Sequence, residues 1–158
     1  MAKILFVSDN LVNESLGIMY LSSYVKLHGH KVELTLLADH EKIDDLLAHI
    51  EKSSPDLIGF SVMTPQVNTF RPVAKIIKES INRPIIWGGP HCMFMPEDIV
   101  ENDAVDIICI GEGEESLLAL MNKIDSRKEI AGIPSLWINK KGRWEKNDLG
   151  NLDPNLDK

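Results

Sequence analysis

The sequence predicts an α/β domain built on a doubly wound parallel sheet. Short runs recur along the chain in which consecutive residues are apolar, as in strands that helices cover on both faces. Segments with helical periodicity separate these runs, and such alternation implies parallel strands joined by right-handed crossovers. The 158 residues also suit one domain, since domains usually span roughly 100 to 200 residues.

Five runs have the length and composition of buried strands. They are Ile4 to Ser8, Val32 to Leu37, Leu57 to Val62, Pro84 to Trp87 and Ile107 to Ile110. Polar or glycine-rich residues follow each run, which is typical of strand ends. Five units of this kind predict a flavodoxin-like sheet of order 2-1-3-4-5, with a ligand at the carboxyl ends of the strands.

Helical patterns fill the intervals between these strands. Residues Leu16 to His28 repeat apolar side chains at steps of three and four, and Gly29 follows where a glycine commonly ends a helix. The other predicted helices are Ile43 to Ile50, Thr69 to Ser80, Pro96 to Asn102 and Glu114 to Ile124.

The pattern changes after the last helix. Ile133 to Asn139, a Lys140-Lys141-Gly142 turn and Arg143 to Lys146 predict a β-hairpin. The polar residues that follow predict a linker or frayed tail. We therefore expect a Rossmann-like domain over residues 1–125, a hairpin extension over residues 126–147 and a linker over residues 148–158.

Composition and charge exclude several classes of function. A formal net charge of −7 without a cluster of Lys or Arg argues against binding to nucleic acid. No apolar run approaches the roughly 20 residues that span a bilayer, and the N-terminus lacks a signal-peptide core. We expect a cytoplasmic protein with no membrane partner. Cys92 and Cys109 lack the Cys-x-x-Cys spacing of metal sites and are expected to be free thiols.

The loops after the strands do not match two well-known chemistries of this fold. A phospho-receiver domain needs an aspartate after strand 3 and a lysine after strand 5, where this chain has Ser61 and Gly111-Glu112. A flavodoxin needs a phosphate loop after strand 1, but the segment "SDNLVNESLG" contains two acids that would repel a phosphate. The segment "GEGEES", residues 111–116, either complements the dipole of the next helix or forms a polar wall of a ligand pocket.

The loop "GGPHC", residues 88–92, raises the question of a metal or catalytic site. His91 and Cys92 have too few neighbouring ligands for a metal, and adjacent side chains seldom point at each other as a nucleophilic pair must. We therefore predict no catalytic residue and no metal site. Glycines at a strand end instead favour close approach of a bulky ligand to the backbone.

Four segments together resemble one known family. "PDLIGFSVMTPQ", "PIIWGGPHCMFMPEDIV", "VDIICIGEGEESLLAL" and "IPSLWINKKGRW", in this order, are similar to the N-terminal cobalamin (vitamin B12)-binding domain of B12-dependent radical SAM enzymes. The resemblance covers nearly the whole chain. The pair formed by GGPH-x-x-x-x-PE and GEGE carries most of its specificity.

This resemblance implies that cobalamin lies on the carboxyl end of the sheet, with its nucleotide tail in a slot beside strands 1, 3 and 4. Ser61 and Thr64 would face the tail or the underside of the corrin, and Pro90, His91 and Cys92 would line the slot or the corrin edge. The residues that it assigns to the cofactor are Asp9, Asn10, Leu11, Val12, Leu16, Gly17, Ser61, Val62, Met63, Thr64, Gly88, Gly89, Pro90, His91, Gly111, Glu112, Gly113 and Glu114.

One departure from related cobalamin domains affects the cobalt. Methionine synthase and the mutases carry Asp-x-His-x-x-Gly after strand 1, and alignment on Asp9 puts Leu11 at the position of that histidine. The resemblance therefore implies base-off cobalamin without a lower histidine ligand.

The same resemblance implies a parent enzyme that uses S-adenosylmethionine and a 4Fe-4S cluster, most often for methyl transfer. This chain lacks the cysteine motif of that cluster, so we expect a downstream radical SAM domain to supply it. Two alternatives stay open, a flavodoxin-like ligand-binding or interaction module and a stand-alone corrinoid carrier, neither with catalytic activity of its own.

Overall fold

A mixed sheet organises the part of the chain that the structure describes. The computed structural model describes residues 1–9, 16–101 and 104–150. The strands are β1 (Lys3–Ser8), β2 (Lys31–Leu36), β3 (Leu57–Ser61), β4 (Ile85–Gly88), β5 (Ile107–Cys109), β6 (Leu136–Lys140) and β7 (Arg143–Lys146), in the order β2-β1-β3-β4-β5-β6-β7. The first five are parallel, so the predicted order 2-1-3-4-5 is confirmed.

The predicted hairpin becomes part of this sheet. β6 pairs antiparallel with β5, and β7 pairs antiparallel with β6. Among the described residues the sheet therefore has seven strands, where five were predicted. The local sequence predicts that the two hairpin strands pair with each other, but it does not identify the sheet edge that they extend.

The described residues contain the five predicted helices and one further helix. They are α1 (Leu16–Leu27), α2 (Ile43–Ser53), α3 (Val67–Ser80), α4 (Pro90–Phe94), α5 (Pro96–Val100) and α6 (Glu114–Asp125). The unpredicted helix is α4. It is too short for apolar periodicity, although Pro90 occupies a first-turn position that suits proline. No helix in the described ranges is long and apolar enough to cross a membrane.

The two faces of the sheet carry separate cores, because successive strand residues point to opposite faces. One face packs against α2 and α3, with a core that includes Leu5, Ile58, Phe60, Trp87 and Ile108. The other packs against α1 and α6, with a core that includes Ile4, Phe6, Leu57, Ile86 and Ile107. We call these the α2/α3 face and the α1/α6 face.

Candidate functional site

Small residues meet at the carboxyl ends of β3 and β4 on the α1/α6 face. Ser61 and Gly88 are direct partners in the parallel register of these strands. Leu57 and Ile86 belong to the core of the α1/α6 face, so Gly59, Ser61 and Gly88, which follow them at steps of two, lie on the same face. The sheet thus presents a floor with little side-chain volume beneath α1 and α6.

A cavity of about 200 Å³ occupies this position. Its apolar walls include Phe6, Ile86, Leu21 of α1 and Leu117 of α6. The full lining is Phe6, Gly17, Leu21, Phe60, Ser61, Ile86, Gly88, Gly89, Cys109, Gly111, Glu112, Gly113, Glu114 and Leu117. No Lys, Arg or His is among these described residues. The cavity therefore favours an apolar ligand group over a phosphate.

Two glycines fix the shape of this floor. A Cβ atom on Gly59 would lie 2.9 Å from two ring carbons of Phe6, so the glycine lets that ring lie against the sheet. A Cβ atom on Gly88 would lie 3.5 Å from the Cβ atom of Cys109, which is ordinary contact. Position 88 thus has room for a methyl group, whereas position 59 does not.

Gly89 joins the ends of β3 and β4. Its φ of +94° is unfavourable for other residues, and a Cβ atom there would lie 2.8 Å from the backbone nitrogen of Val62. The amide of Val62 donates to the Gly88 carbonyl at 2.8 Å, and the amide of His91 donates to the Val62 carbonyl at 3.0 Å. These two backbone hydrogen bonds hold the start of α4 against the end of β3.

His91 lies in α4 and is not on the cavity lining. Its ring contacts the segment after β3 and helix α5. Its side chain is 4% exposed, with Nε2 at 3.0 Å from Oδ2 of Asp98 and Nδ1 at 3.2 Å from Oγ1 of Thr64. Asp98 also accepts a hydrogen bond from Arg71 at 3.0 Å. Both ring nitrogens of His91 are thus engaged by protein groups, which is the pattern of a structural histidine.

The loop after β3 is also tied to the end of β1. The side-chain Nε2 of Gln66 donates to Oδ2 of Asp9 at 2.9 Å. The side-chain Oε1 of Gln66 accepts a hydrogen bond from the Met63 backbone amide at 2.9 Å. Asp9 and Met63 are therefore positioned by one shared glutamine. Sequence patterns gave no indication of this link.

Both cysteines are free and buried, on opposite faces of the sheet. Burial, with a smaller contribution from the nearby Glu114 carboxylate, raises the pKa of the Cys109 thiol to about 12. Burial likewise raises the pKa of Cys92 to about 12, with a smaller contribution from Cys109. At neutral pH, Cys109 is therefore a neutral thiol that lines the cavity as an apolar group.

Three glutamates follow β5, and they point in different directions. Glu112 and Glu114 line the cavity. Glu115 instead accepts a hydrogen bond from the hydroxyl of Tyr24 on α1. Because Glu114 and Glu115 occupy the first turn of α6, the two interpretations of "GEGEES" hold together: the segment complements the helix dipole and forms a wall of the cavity.

The residues predicted to bind a cofactor fall into four groups. Those that line the cavity are Gly17, Ser61, Gly88, Gly89, Gly111, Glu112, Gly113 and Glu114. Leu16 lines a shallow depression beside the cavity, which it shares with Met19 and Tyr20. Asp9, Val62, Met63 and Thr64 lie in the segments after β1 and β3, and Pro90 and His91 lie in α4; none of these six residues is on the cavity lining. Asn10, Leu11 and Val12 lie outside the described residues.

Sequence reasoning missed six lining residues. They are Phe6, Leu21, Phe60, Ile86, Cys109 and Leu117. Each lies inside a strand or helix, or at a strand's last position, where apolar residues usually belong to the core. The alternation of Gly59 and Ser61 on one face with Phe60 on the other was a signal that could have located the cavity.

The described residues contain no group of three or more His, Cys, Asp or Glu side chains placed to hold a metal ion.

Comparison with known proteins identifies this architecture. The model of a family described as the B12 binding domain matches residues 2–121. An uncharacterized methyltransferase from Pyrococcus horikoshii is 31% identical over 130 residues, which are 81% of this chain and 28% of that protein.

Two solved structures share the fold. The radical S-adenosylmethionine methyltransferase TsrM from Kitasatospora setae, with cobalamin and a 4Fe-4S cluster bound, matches with a TM-score of 0.84 and 24% identity, over 100% of this chain and 31% of that one. The cobalamin-dependent S-adenosylmethionine radical enzyme OxsB, with aqua-cobalamin and S-adenosylmethionine bound, matches with a TM-score of 0.79 and 22% identity, over 96% of this chain and 23% of that one. This chain thus spans less than a third of each of these proteins.

Proposed function

This chain belongs to the B12-binding domain family, and we propose that it holds cobalamin base-off at the carboxyl end of its sheet, with the nucleotide tail in the cavity under α1 and α6. The observation that carries the proposal is the pairing of Ser61 with Gly88 on the floor of that cavity. Side chains of ordinary size at these two positions would fill the space that the tail needs.

The residues present suit such a ligand. Phe6, Ile86 and Leu117 offer apolar contact to the flat aromatic base of the tail, and Ser61 offers a hydroxyl at the strand end. Glu112 and Glu114 are acceptors for amide groups of the kind that surround a corrin ring. These residues would bind the cofactor, orient it and exclude water from its tail.

The base-off state is supported by two features of this chain. Leu11 occupies the position of the lower histidine in related domains that ligate cobalt through the protein. His91 has both ring nitrogens within hydrogen-bonding distance of Asp98 and Thr64. We therefore propose cobalamin without a histidine ligand on its lower side.

We further propose that this chain is the cobalamin-binding part of a radical SAM methyltransferase. The likeness to a methyltransferase and to two radical enzymes supports this assignment. Bound cobalamin supplies a cobalt centre that can accept and donate a methyl group. S-adenosylmethionine and the 4Fe-4S cluster would belong to a downstream radical SAM domain, and the residues described here would hold the cobalamin.

Titration with hydroxocobalamin tests the proposal. The protein is mixed with cofactor, free cofactor is removed, and retained cobalamin is measured by visible absorbance; methylcobalamin is used in parallel because its spectrum separates base-on from base-off forms. We expect stoichiometric retention and a base-off spectrum. A base-on or histidine-ligated spectrum would contradict the proposed state, and no retention would favour the interaction-module alternative.

A matched pair of variants locates the site. Gly88→Leu places a branched side chain in the cavity, and Ser80→Leu places the same side chain at an exposed position at the end of α3. We expect Gly88→Leu to raise the Kd for cobalamin more than tenfold and Ser80→Leu to leave it unchanged. Equal Kd values for the two variants would contradict the placement of the nucleotide tail in this cavity.

A further inference from the structure

The segment that follows β7 is fastened to the body of the domain. The side-chain amide of Asn147 donates to the Leu136 carbonyl at 2.7 Å, and the amide of Ser135 donates to the Asp148 carbonyl at 2.8 Å. The amide of Gly150 donates to Oγ of Ser135 at 2.9 Å. We call residues 147–150 the strap. Most of it falls in the region that the sequence predicts as a linker.

Ser135 connects the strap to the carboxyl end of the sheet. It is 5% exposed and has a φ of +62°, an uncommon conformation for a residue other than glycine. Its carbonyl accepts a hydrogen bond from the Ile110 amide at 2.8 Å, and Ile110 directly precedes Gly111 on the cavity lining. One buried serine thus bonds both the strap and the loop that forms the cavity rim.

Leu149 carries the only apolar side chain of the strap, and it points to this rim. Its Cδ2 atom lies 3.6 Å from the position that a Cβ atom on Gly111 would occupy. The residue is nevertheless 67% exposed. An exposed leucine alone is unremarkable, but here the backbone on both sides is hydrogen bonded and the neighbouring surface is the edge of an apolar cavity.

We propose that the strap is part of the cobalamin site, with Leu149 covering an apolar edge of the cofactor beside Gly111. This inference depends on the proposed function. Ligand binding then buries the exposed side of Leu149, and the strap residues that flank it stay bonded to Ser135 and Leu136. Loss of this partial burial weakens binding by about 3- to 10-fold, as expected for part of a leucine side chain.

Hydroxocobalamin titrations of four variants test the inference. We expect Leu149→Ala to raise the Kd by about 3- to 10-fold and Leu149→Asp to raise it further, because the new charge would be desolvated. Ser135→Ala, which removes the acceptor for the Gly150 amide, should also weaken binding. The control is Leu27→Ala, which truncates a leucine that is 83% exposed at the far end of α1 and should bind as the parent protein does.

A second measurement separates a ligand contact from a purely structural role. Hydrogen exchange of the Gly150 and Ser135 amides should slow when cobalamin is added to the parent protein, and slow less in Leu149→Ala. Thermal unfolding midpoints without cobalamin should match for the parent protein, Leu149→Ala and Leu27→Ala, since an exposed side chain contributes little to stability.

The outcomes distinguish the two proposals. If the parent protein retains cobalamin while Leu149→Ala and Leu149→Asp bind equally well and strap exchange is unchanged, the strap is no part of the site and the proposed function stands. If the parent protein retains no cobalamin, the proposed function and this inference fall together.

Discussion

The two faces of the sheet differ at the same strand ends. On the α2/α3 face, Phe60 and Trp87 pack with their ring centroids 5.9 Å apart, and Phe70 adds a third ring at 5.3 Å from Phe60. On the α1/α6 face, the residues next to them are Ser61 and Gly88, above which lies a cavity of about 200 Å³. Adjacent residues of one strand therefore face different surroundings, because the pleat directs one side chain into the core and the next toward the cavity.

The difference shows how this fold combines a continuous core on one face with a cavity on the other. Leu46, Phe70 and Ile77 are fully covered on the α2/α3 face, and the core there continues to the strand ends. On the other face, the core extends over Ile4, Leu57 and Ile107 but gives way to glycine and serine toward the carboxyl ends. Changes on the first face should therefore affect unfolding, and changes on the second should affect binding.

The largest effect is expected from Trp87→Ala. Trp87 is fully buried, and its removal should lower the free energy of unfolding by about 3 to 5 kcal/mol, as for other large core aromatic residues. The neighbouring change Gly88→Ala adds a methyl group in ordinary contact with Cys109. It should change the free energy of unfolding by less than about 1 kcal/mol. Urea unfolding of both variants makes the comparison, and an equal loss would contradict the division between the faces.

His91→Asn should have an intermediate effect. It shortens a buried side chain whose ring nitrogens contact Asp98 and Thr64, so the unfolding free energy should fall by about 1 to 3 kcal/mol. We expect the visible spectrum of bound methylcobalamin to be unchanged, because Asp98 and Thr64 already contact both ring nitrogens of His91. A histidine-ligated spectrum in the parent protein that disappears in the variant would instead make His91 a cobalt ligand.

Sequence patterns predicted the scaffold better than the site, for a physical reason. Runs such as Ile85 to Trp87 are apolar at every position, which identifies a buried parallel strand but conceals which residues share a face. The predicted lining residues therefore lie in the loops and at the ends of strands and helices, and the walls from Phe6, Leu21 and Leu117 were missed.

The remaining differences arise from contacts between distant parts of the chain. Ser135 bonds the strap and Ile110, and Gln66 bonds Asp9, across separations that no local pattern encodes. The placement of β6 beside β5 is of the same kind. Such contacts depend on the assembled sheet, whereas strand order follows from right-handed crossovers between consecutive units.

The glutamates after β5 allow a finer test of the binding face. Glu112→Gln and Glu114→Gln remove carboxylates that line the cavity, whereas the matched control Glu115→Gln changes a side chain bonded to Tyr24. We expect the first two to relax discrimination between cobalamin and derivatives in which a corrin amide is a free carboxylate, because like charges no longer repel. Affinity ratios for the two ligands give the result. A change of the same size in Glu115→Gln would show that only overall charge matters.

The smallest effect is expected in the labelling rates of the two cysteines, which lie on opposite faces of the sheet. Because burial raises the pKa of Cys92 and Cys109 to about 12, both thiols are neutral below that pH and should react slowly with iodoacetamide at pH 8. The pKa of these thiols in the unfolded chain is the ordinary value of 9.0, so stability should fall as the pH rises from about 9 toward 12. Cobalamin should further slow the labelling of Cys109, which lines the cavity, and leave that of Cys92 unchanged. Peptide mass spectrometry measures both sites in one sample, and equal protection of the two would indicate global stabilisation instead of a ligand on the α1/α6 face.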